Sequence, residues 1–151
     1  MNQEEIIELF KTLPKQHYKK FGLFSFRIVS KEELVETWIG DELETRNTAF
    51  PGDVIMTGPK GEEFVLKPEK FKQRYQIKFF VPSDAFKSAG VAEAIGEGYA
   101  AIWEGDPITF TTAWGEEMIC NAGDFLYSPN EEVTEVYRIE AEIFNETYKK
   151  D

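Results

Sequence analysis

Hydrophobic and polar positions fall into short runs bounded by glycine or proline, and a helical spacing stands out clearly only near residue 1. Ile6, Ile7, Leu9, Phe10 and Leu13 recur at the interval of one helix face, Asn2 is placed to cap the first turn, and Pro14 follows the last. This predicts a short amphipathic helix that covers an edge or one end of a sheet. Residues 21–29 alternate in part and are rich in aromatic and β-branched side chains, which predicts a strand. Residues 30–39 carry two signals: Ser30 with Glu33 has the form of a capping box, whereas Val35 to Ile39 favours a strand. Gly40-Asp41 predicts a turn, Pro51-Gly52 a tighter one, residues 54–57 a strand, residues 58–61 another turn and residues 63–67 the returning strand. Pro68 opens a helical turn that sets Phe71 and Tyr75 on one face. Residues 76–82 read as a strand or a bridge, and residues 83–95 as a helix broken by Gly90 and ended by Gly96 and Gly98. A second set of strands begins at Tyr99. The pattern is that of an α+β protein built mainly of short antiparallel strands.

The second set echoes the first. Thr37, Gly40 and Leu43 correspond to Thr112, Gly115 and Met118, and Gly52-Asp53 corresponds to Gly123-Asp124. Glu62, Phe64, Leu66, Glu69, Phe71 and Tyr75 correspond in order to Glu135, Tyr137, Ile139, Glu142, Phe144 and Tyr148. The changes of offset fall at Glu44-Thr45-Arg46-Asn47 and at residues 130–134, where turns are expected and chain length is tolerant. Two duplicated β-rich halves follow, with Phe71, Tyr75, Phe144 and Tyr148 in equivalent buried sites. Residues 1–17 are the helical segment, 18–76 the first repeat, 77–98 a connection and 99–151 a diverged second repeat. Repeats of this size usually stack or pair.

Composition narrows the function. Apolar content of 42% and aromatic content of 15% supply a core for one domain, whereas a half alone is marginal in size. A net charge of −11 excludes direct binding to a nucleic-acid backbone, which needs clustered cations. The single cysteine, Cys120, lies in an apolar run and predicts a buried side chain rather than a disulfide or thiolate metal site. No run reaches the length of a membrane span, and no secretory signal pattern opens the sequence, so a soluble, cytoplasmic protein is expected.

Candidate chemistry is sparse. Asp53 and Asp124 fit turns closed by an aspartate that accepts backbone N–H groups. Glu62, Glu135, Glu69 and Glu142 fit turn-capping or solvated glutamates, with a carboxylate pair between halves as the alternative. His17, the only histidine, is expected at the surface beyond the helix, and the short glycine turns lack the pattern of a phosphate loop. Trp38, Trp103, Trp114, Tyr127 and Tyr137 fall on expected strands and are expected mostly in the core, with an aromatic-walled ligand site as the other reading.

The run from Pro51 through Tyr75, with Thr37-x-x-Gly40 before it, resembles the PGDYG family of small phage and bacterial proteins. The shared features are T-x-x-G, Pro51-Gly52-Asp53, Gly58-x-x-Gly61-Glu62, and Lys67-Pro68-x-x-Phe71-x-x-x-Tyr75. The chain is similar across residues 18–76 and partly across 99–149. It departs at Val54, where the family often has an aromatic residue, and at Ala122 and Ala141, which replace prolines. The resemblance implies no defined activity. The expected function is a non-catalytic binding module for a protein or small anionic ligand, without a cofactor. Alternatives are a small enzyme with carboxylates and tyrosines in a cleft between halves, and an acidic mimic of nucleic acid. Because the copies differ most around residues 44–47 and 127–134, Arg46, Trp38, Trp114 and Tyr127 are the expected ligand contacts, with the Arg46 guanidinium holding an anionic group.

Overall fold

The first helix forms as its caps and spacing dictate. In α1 (Gln3–Thr12) the Asn2 side chain accepts the Glu5 N–H at 2.8 Å, while Glu5 accepts the Asn2 N–H at 2.9 Å. This reciprocal box satisfies two otherwise orphaned donors. Ile6 and Phe10, on one face, are completely buried. The computed structural model describes residues 1–39, 41–81 and 88–151, with the backbone alone at 39 and 42–45. After α1 comes β1 (Gln16–Lys20). The chain then divides into two compact units, one of Met1–Lys20 with Glu97–Asp151 and one of Phe21–Gly96.

The contiguous unit holds β2 (Leu23–Ile28), β3 (Glu33–Ile39), β4 (Glu42–Ala49), β5 (Val54–Thr57), β6 (Glu63–Leu66), α2 (Pro68–Arg74), β7 (Tyr75–Phe80) and β8 (Ala89–Ala94). Its five-stranded sheet has the order β6-β5-β2-β8-β7, every neighbouring pair being antiparallel. β3 and β4 form a separate hairpin that packs on β6. The strand reading of residues 35–39 is therefore the one adopted. Gly40 lies outside the described residues.

The other unit adds β9 (Glu97–Ile102), β10 (Ile108–Thr111), β11 (Glu117–Cys120), β12 (Phe125–Ser128), β13 (Tyr137–Ile139), α3 (Ala141–Thr147) and β14 (Tyr148–Lys150) to α1 and β1. Its five-stranded sheet, also antiparallel, has the order β13-β12-β9-β1-β14, and β10 pairs with β11 as a hairpin. In each sheet the fourth strand lies outside the run of chain that supplies the other four. β1 precedes β9–β14 by the whole of the first unit, and β8 follows β7 after a short connection.

Residues 77–98, expected to be a connection, thus contain most of β7 and all of β8. The helix expected over residues 83–95 is a strand from Ala89 to Ala94; residues 83–87 lie outside the described residues. The alanine content is helix-favouring, but burial alternates strictly: Gly90, Ala92 and Ala94 are buried and Ala89, Val91 and Glu93 less so. A position flanked by β2 and β7 outweighs local propensity. A Cβ on Gly90 would run into the Phe79 carbonyl oxygen and come within 3.0 Å of Phe26 Cε1. The glycine that seemed to break a helix lets two strands and a ring meet.

Aromatic rings fill both cores. In the contiguous unit Phe71 stacks on Tyr75 at 5.8 Å, with Phe24 and Phe26 edge-on or tilted against them. In the other, Phe144 stacks on Tyr148 at 4.7 Å and on Phe125 at 3.8 Å, with Tyr18 of β1 edge-on. Each phenylalanine sits in a seven-residue helix, and each tyrosine caps that helix and starts the next strand. The four-residue spacing alone brings the rings together. A second cluster, Ala101, Phe110, Met118, Cys120, Leu126 and Val136, is closed by Ile6 and Phe10 of α1. The helix is held at its start by Gln3, whose amide donates to Thr111 O at 2.7 Å and accepts the Val136 N–H at 2.7 Å.

Truncating Phe144, 2% exposed, removes a ring that three other rings pack against. Phe144→Ala is expected to cost about 3–5 kcal/mol in urea unfolding followed by circular dichroism. Ile119→Ala, at a half-exposed site on β11, should stay within about 0.5 kcal/mol.

Candidate functional site

Both Gly-Asp pairs build the same local structure. Asp53 N–H donates to Phe50 O at 2.9 Å across Pro51 and Gly52, whose φ is +94°; Asp124 N–H donates to Asn121 O at 3.0 Å across Ala122 and Gly123, φ +95°. A positive φ at the third residue is what a type II turn requires and glycine supplies. Gly52 N–H donates to Val29 O and Val29 N–H to Asp53 O, both at 2.8 Å. Gly123 and Asp124 exchange the same two bonds with Trp103, at 2.7 and 2.8 Å. The side chains fold back over the turns: Asp53 Oδ2 accepts Phe50 N–H at 2.9 Å, and Asp124 Oδ2 accepts Asn121 N–H at 3.1 Å.

The buried charges are met differently. Lys67 Nζ reaches Asp53 at 2.9 and 3.1 Å, with the lysine side chain 58% exposed. Arg138 reaches Asp124 Oδ2 through Nε at 3.0 Å and Nη2 at 2.9 Å, with both side chains under 9% exposed. Asp124 Oδ1 also accepts the Ala141 N–H, the first of α3, at 3.2 Å. These cations were missed from sequence, although each follows its aspartate by 14 residues. They come from opposite sides of the paired position, since Val54 faces Leu66 and Phe125 faces Ile139. Positions two apart share a strand face, so either side serves.

Glu62, buried, caps its turn by accepting the Lys60 N–H at 2.8 Å. His17, beyond the helix as expected, is in β1 with a partly exposed side chain; its Nδ1 lies 2.9 Å from Asp151 and its ring packs edge-on against Tyr99. Arg27 makes a two-pronged bond to Glu33, at 2.6 and 3.0 Å, and approaches Glu63 at 3.5 Å. The hydrogen bond from Arg27 holds the Glu33 carboxyl below its usual range. Its small, solvent-screened contribution is present above the unfolded carboxyl pKa and is lost as pH falls through the lowered folded value. Burial, with the nearby Asp124 charge, pushes the Cys120 thiol up to about 12. Among the described residues no three His, Cys, Asp or Glu side chains group as metal ligands, and no helix is long and apolar enough to cross a membrane.

The expected ligand contacts are divided between the two units. Trp38 and Arg46 lie on the β3–β4 hairpin. Arg46 stands opposite Glu36 in register and donates Nε–H to it at 2.8 Å, while its side chain remains 65% exposed. Trp38 sits where that register shifts. Trp114 lies in the turn of the β10–β11 hairpin, donates its indole N–H to Glu116 at 2.6 Å, and meets the Tyr137 ring edge-on at 5.7 Å. Tyr127 is buried, between Tyr137 at 5.3 Å and Tyr148 at 5.2 Å. Of the aromatics expected mostly in the core, Tyr127 is buried and Trp103 and Tyr137 pack partly buried against a core cluster, whereas Trp38 and Trp114 are each 46% exposed. Trp114 is exposed because it lies in the turn between β10 and β11 rather than on a strand. Side chains at 44 and 45 lie outside the described residues.

Asp124→Asn leaves the Arg138 guanidinium buried without its counter-charge and should cost about 3–5 kcal/mol. Asp53→Asn, whose lysine turns to water, should cost about 1 kcal/mol; equal losses in urea titrations would contradict this account. Cys120 should resist thiol reagents at pH 8 in the folded protein and react on unfolding. The thiol's contribution to stability should be full below the ordinary value of 9.0 and fall from there towards about pH 12, because only the unfolded chain releases the proton in that window.

Set beside known proteins, the chain matches no protein-family model, no curated protein and no solved structure.

Proposed function

We propose that this chain is a tandem pair of PGDYG-like repeats that serves as a non-catalytic, cytoplasmic binding module for a protein or a small anionic ligand. The duplication reading is supported by the matched bonds of the two Gly-Asp turns, by the two helix-to-strand aromatic pairs, and by sheets whose elements follow one order. The observation that carries the binding reading is the half-exposure of one tryptophan on each hairpin, Trp38 and Trp114. Large aromatics left at a surface are the side chains most enriched at recognition sites. Arg46, on the same hairpin as Trp38, adds a solvent-facing cation for an anionic group; its pairing with Glu36 is a surface pair of small strength. Asp53, Asp124 and Glu62 bond to the backbone of their own turns.

Trp38→Ala, Trp114→Ala and Arg46→Ala should each keep the melting temperature within the range of ordinary surface changes, about 0.5 kcal/mol in stability. Each tagged variant would be compared with the parent protein by co-purification from the native host and mass spectrometry of bound proteins and metabolites. Loss of a specific bound species in the variants is the expected result. Identical recoveries for all four proteins would reject the hairpins as the site.

A further inference from the structure

We propose that the two repeats exchange their first strands, and that the sizes of the exchanged residues make each sheet accept only the other repeat's strand. The inference rests on the duplication proposed above and is independent of any ligand at the hairpins. The sheets read β6-β5-β2-β8-β7 and β13-β12-β9-β1-β14. β8 immediately precedes β9 along the chain, as β1 precedes β2, yet β8 lies in the sheet of β2 and β1 in the sheet of β9. Only Phe21 and Gly22 join β1 to β2, and only Ile95 and Gly96 join β8 to β9. Links of that length can close a hairpin; here each leads instead into a different sheet. Without its borrowed strand, either sheet is broken between β2 and β7 or between β9 and β14.

The borrowed strands are not interchangeable. Phe24 on β2 and Gly98 on β9 stand at the same distance before Val29 and Trp103, the residues that bond the two Gly-Asp turns. Phe24, buried, faces Ala92 of the borrowed β8, whereas Gly98 faces Tyr18 of the borrowed β1. Large faces small in both sheets, with the large residue on opposite sides. Phe26 facing Gly90 repeats the arrangement one step along β2 and β8. A Cβ at Gly98 would run into the Ser128 carbonyl oxygen and the Tyr127 hydroxyl, and one at Gly90 into the Phe79 carbonyl oxygen. Each large residue is also fitted to its own rings: Tyr18 stands edge-on to Phe144 at 4.8 Å and Phe24 edge-on to Tyr75 at 5.5 Å.

These sizes choose the partner. The first repeat paired with a second copy of itself would set Tyr18 against Phe24 and overpack a buried layer. The second paired with itself would set Ala92 against Gly98 and Gly90 against Ala100, and leave a void. A close-packed interior penalises both. The partner that fits each repeat is the other one.

A double-mutant cycle on the whole chain, read by melting temperature, tests the size matching. Ala92→Tyr should lower it by roughly 5 °C through overpacking, and Phe24→Ala by roughly 10 °C through the cavity left. The double variant copies the arrangement of the other sheet and should melt above both single variants; additive losses would overturn the size matching. The exchange is tested by inserting a protease site between Val81 and Ser88 and cutting the folded protein. The two fragments should elute as one complex. After unfolding and refolding together, native mass spectrometry should find pairs of unlike fragments only. Fragments that part without denaturant would overturn the exchange, and like pairs in statistical proportion would overturn the size matching. Lys19→Cys with Glu97→Cys, in a Cys120→Ala chain, gives a readout that does not need the cut complex to stay folded. Those positions face each other across β1 and β9, so oxidation before the cut should leave the fragments covalently joined; fragments that separate would again overturn the exchange. An experimental structure with β1 beside β2 but superposable Gly-Asp turns would remove the exchange and leave the duplication, whereas turns that do not superpose would remove the duplication itself.

Discussion

A carboxylate held away from water at the mouth of a tight turn demands partners, and in both units the local structure is organised by meeting that demand. Asp53 and Asp124 each bind the first residue of their own turn, and each recruits a cation, Arg138 from the strand that returns beside it and Lys67 from just beyond that strand. The same two residues hand their backbone groups to Val29 and Trp103, so one side chain ties together a preceding strand end, a turn and a returning strand. In one unit the carboxylate also takes the first N–H of α3 and thereby sets where that helix starts. Ion pairs of this kind add little net stability while intact, but they are costly to break and so specify which turn closes on which strand.

Much of this was legible in the sequence where the signal was local. The capping residues of α1, the Pro51-Gly52 turn, and the spacing of Phe71 with Tyr75 act within a few residues of themselves, and each forms as expected. The readings that failed depend on distant neighbours. Residues 89–94 have helix-favouring composition, yet they lie between β2 and β7, where small side chains are needed for close approach. Trp38 and Trp114 look like core residues by type, but one sits at a register shift of a two-stranded hairpin and the other in a hairpin turn, and both are exposed. The cations that meet Asp53 and Asp124 were hidden because aligning the aromatic positions puts Lys67 and Arg138 two places apart. The constant 14-residue spacing from each aspartate was the usable signal.

For function, the division of labour among side chains matters more than any single group. The buried carboxylates close turns, the buried thiol is kept protonated by its surroundings, and the rings inside each sheet stack on one another. What faces outward is one tryptophan per hairpin and the Arg46 guanidinium.

The position of β1 has a consequence for biogenesis. β1 is translated before residues 21–96, yet its hydrogen-bond partners are β9 and β14, which follow them, and Lys20 pairs with Tyr148. Residues 21–96 contain every strand of their own sheet and are free to close as they leave the ribosome. The first 20 residues must wait, with Ile6, Phe10 and Tyr18 unburied, until the rest of their sheet exists. Pairings of such long sequence separation form late and slowly. Synthesis therefore runs through a stage in which one finished sheet is flanked by an unfinished one, and the apolar face of α1 is the surface that a nascent-chain chaperone would meet.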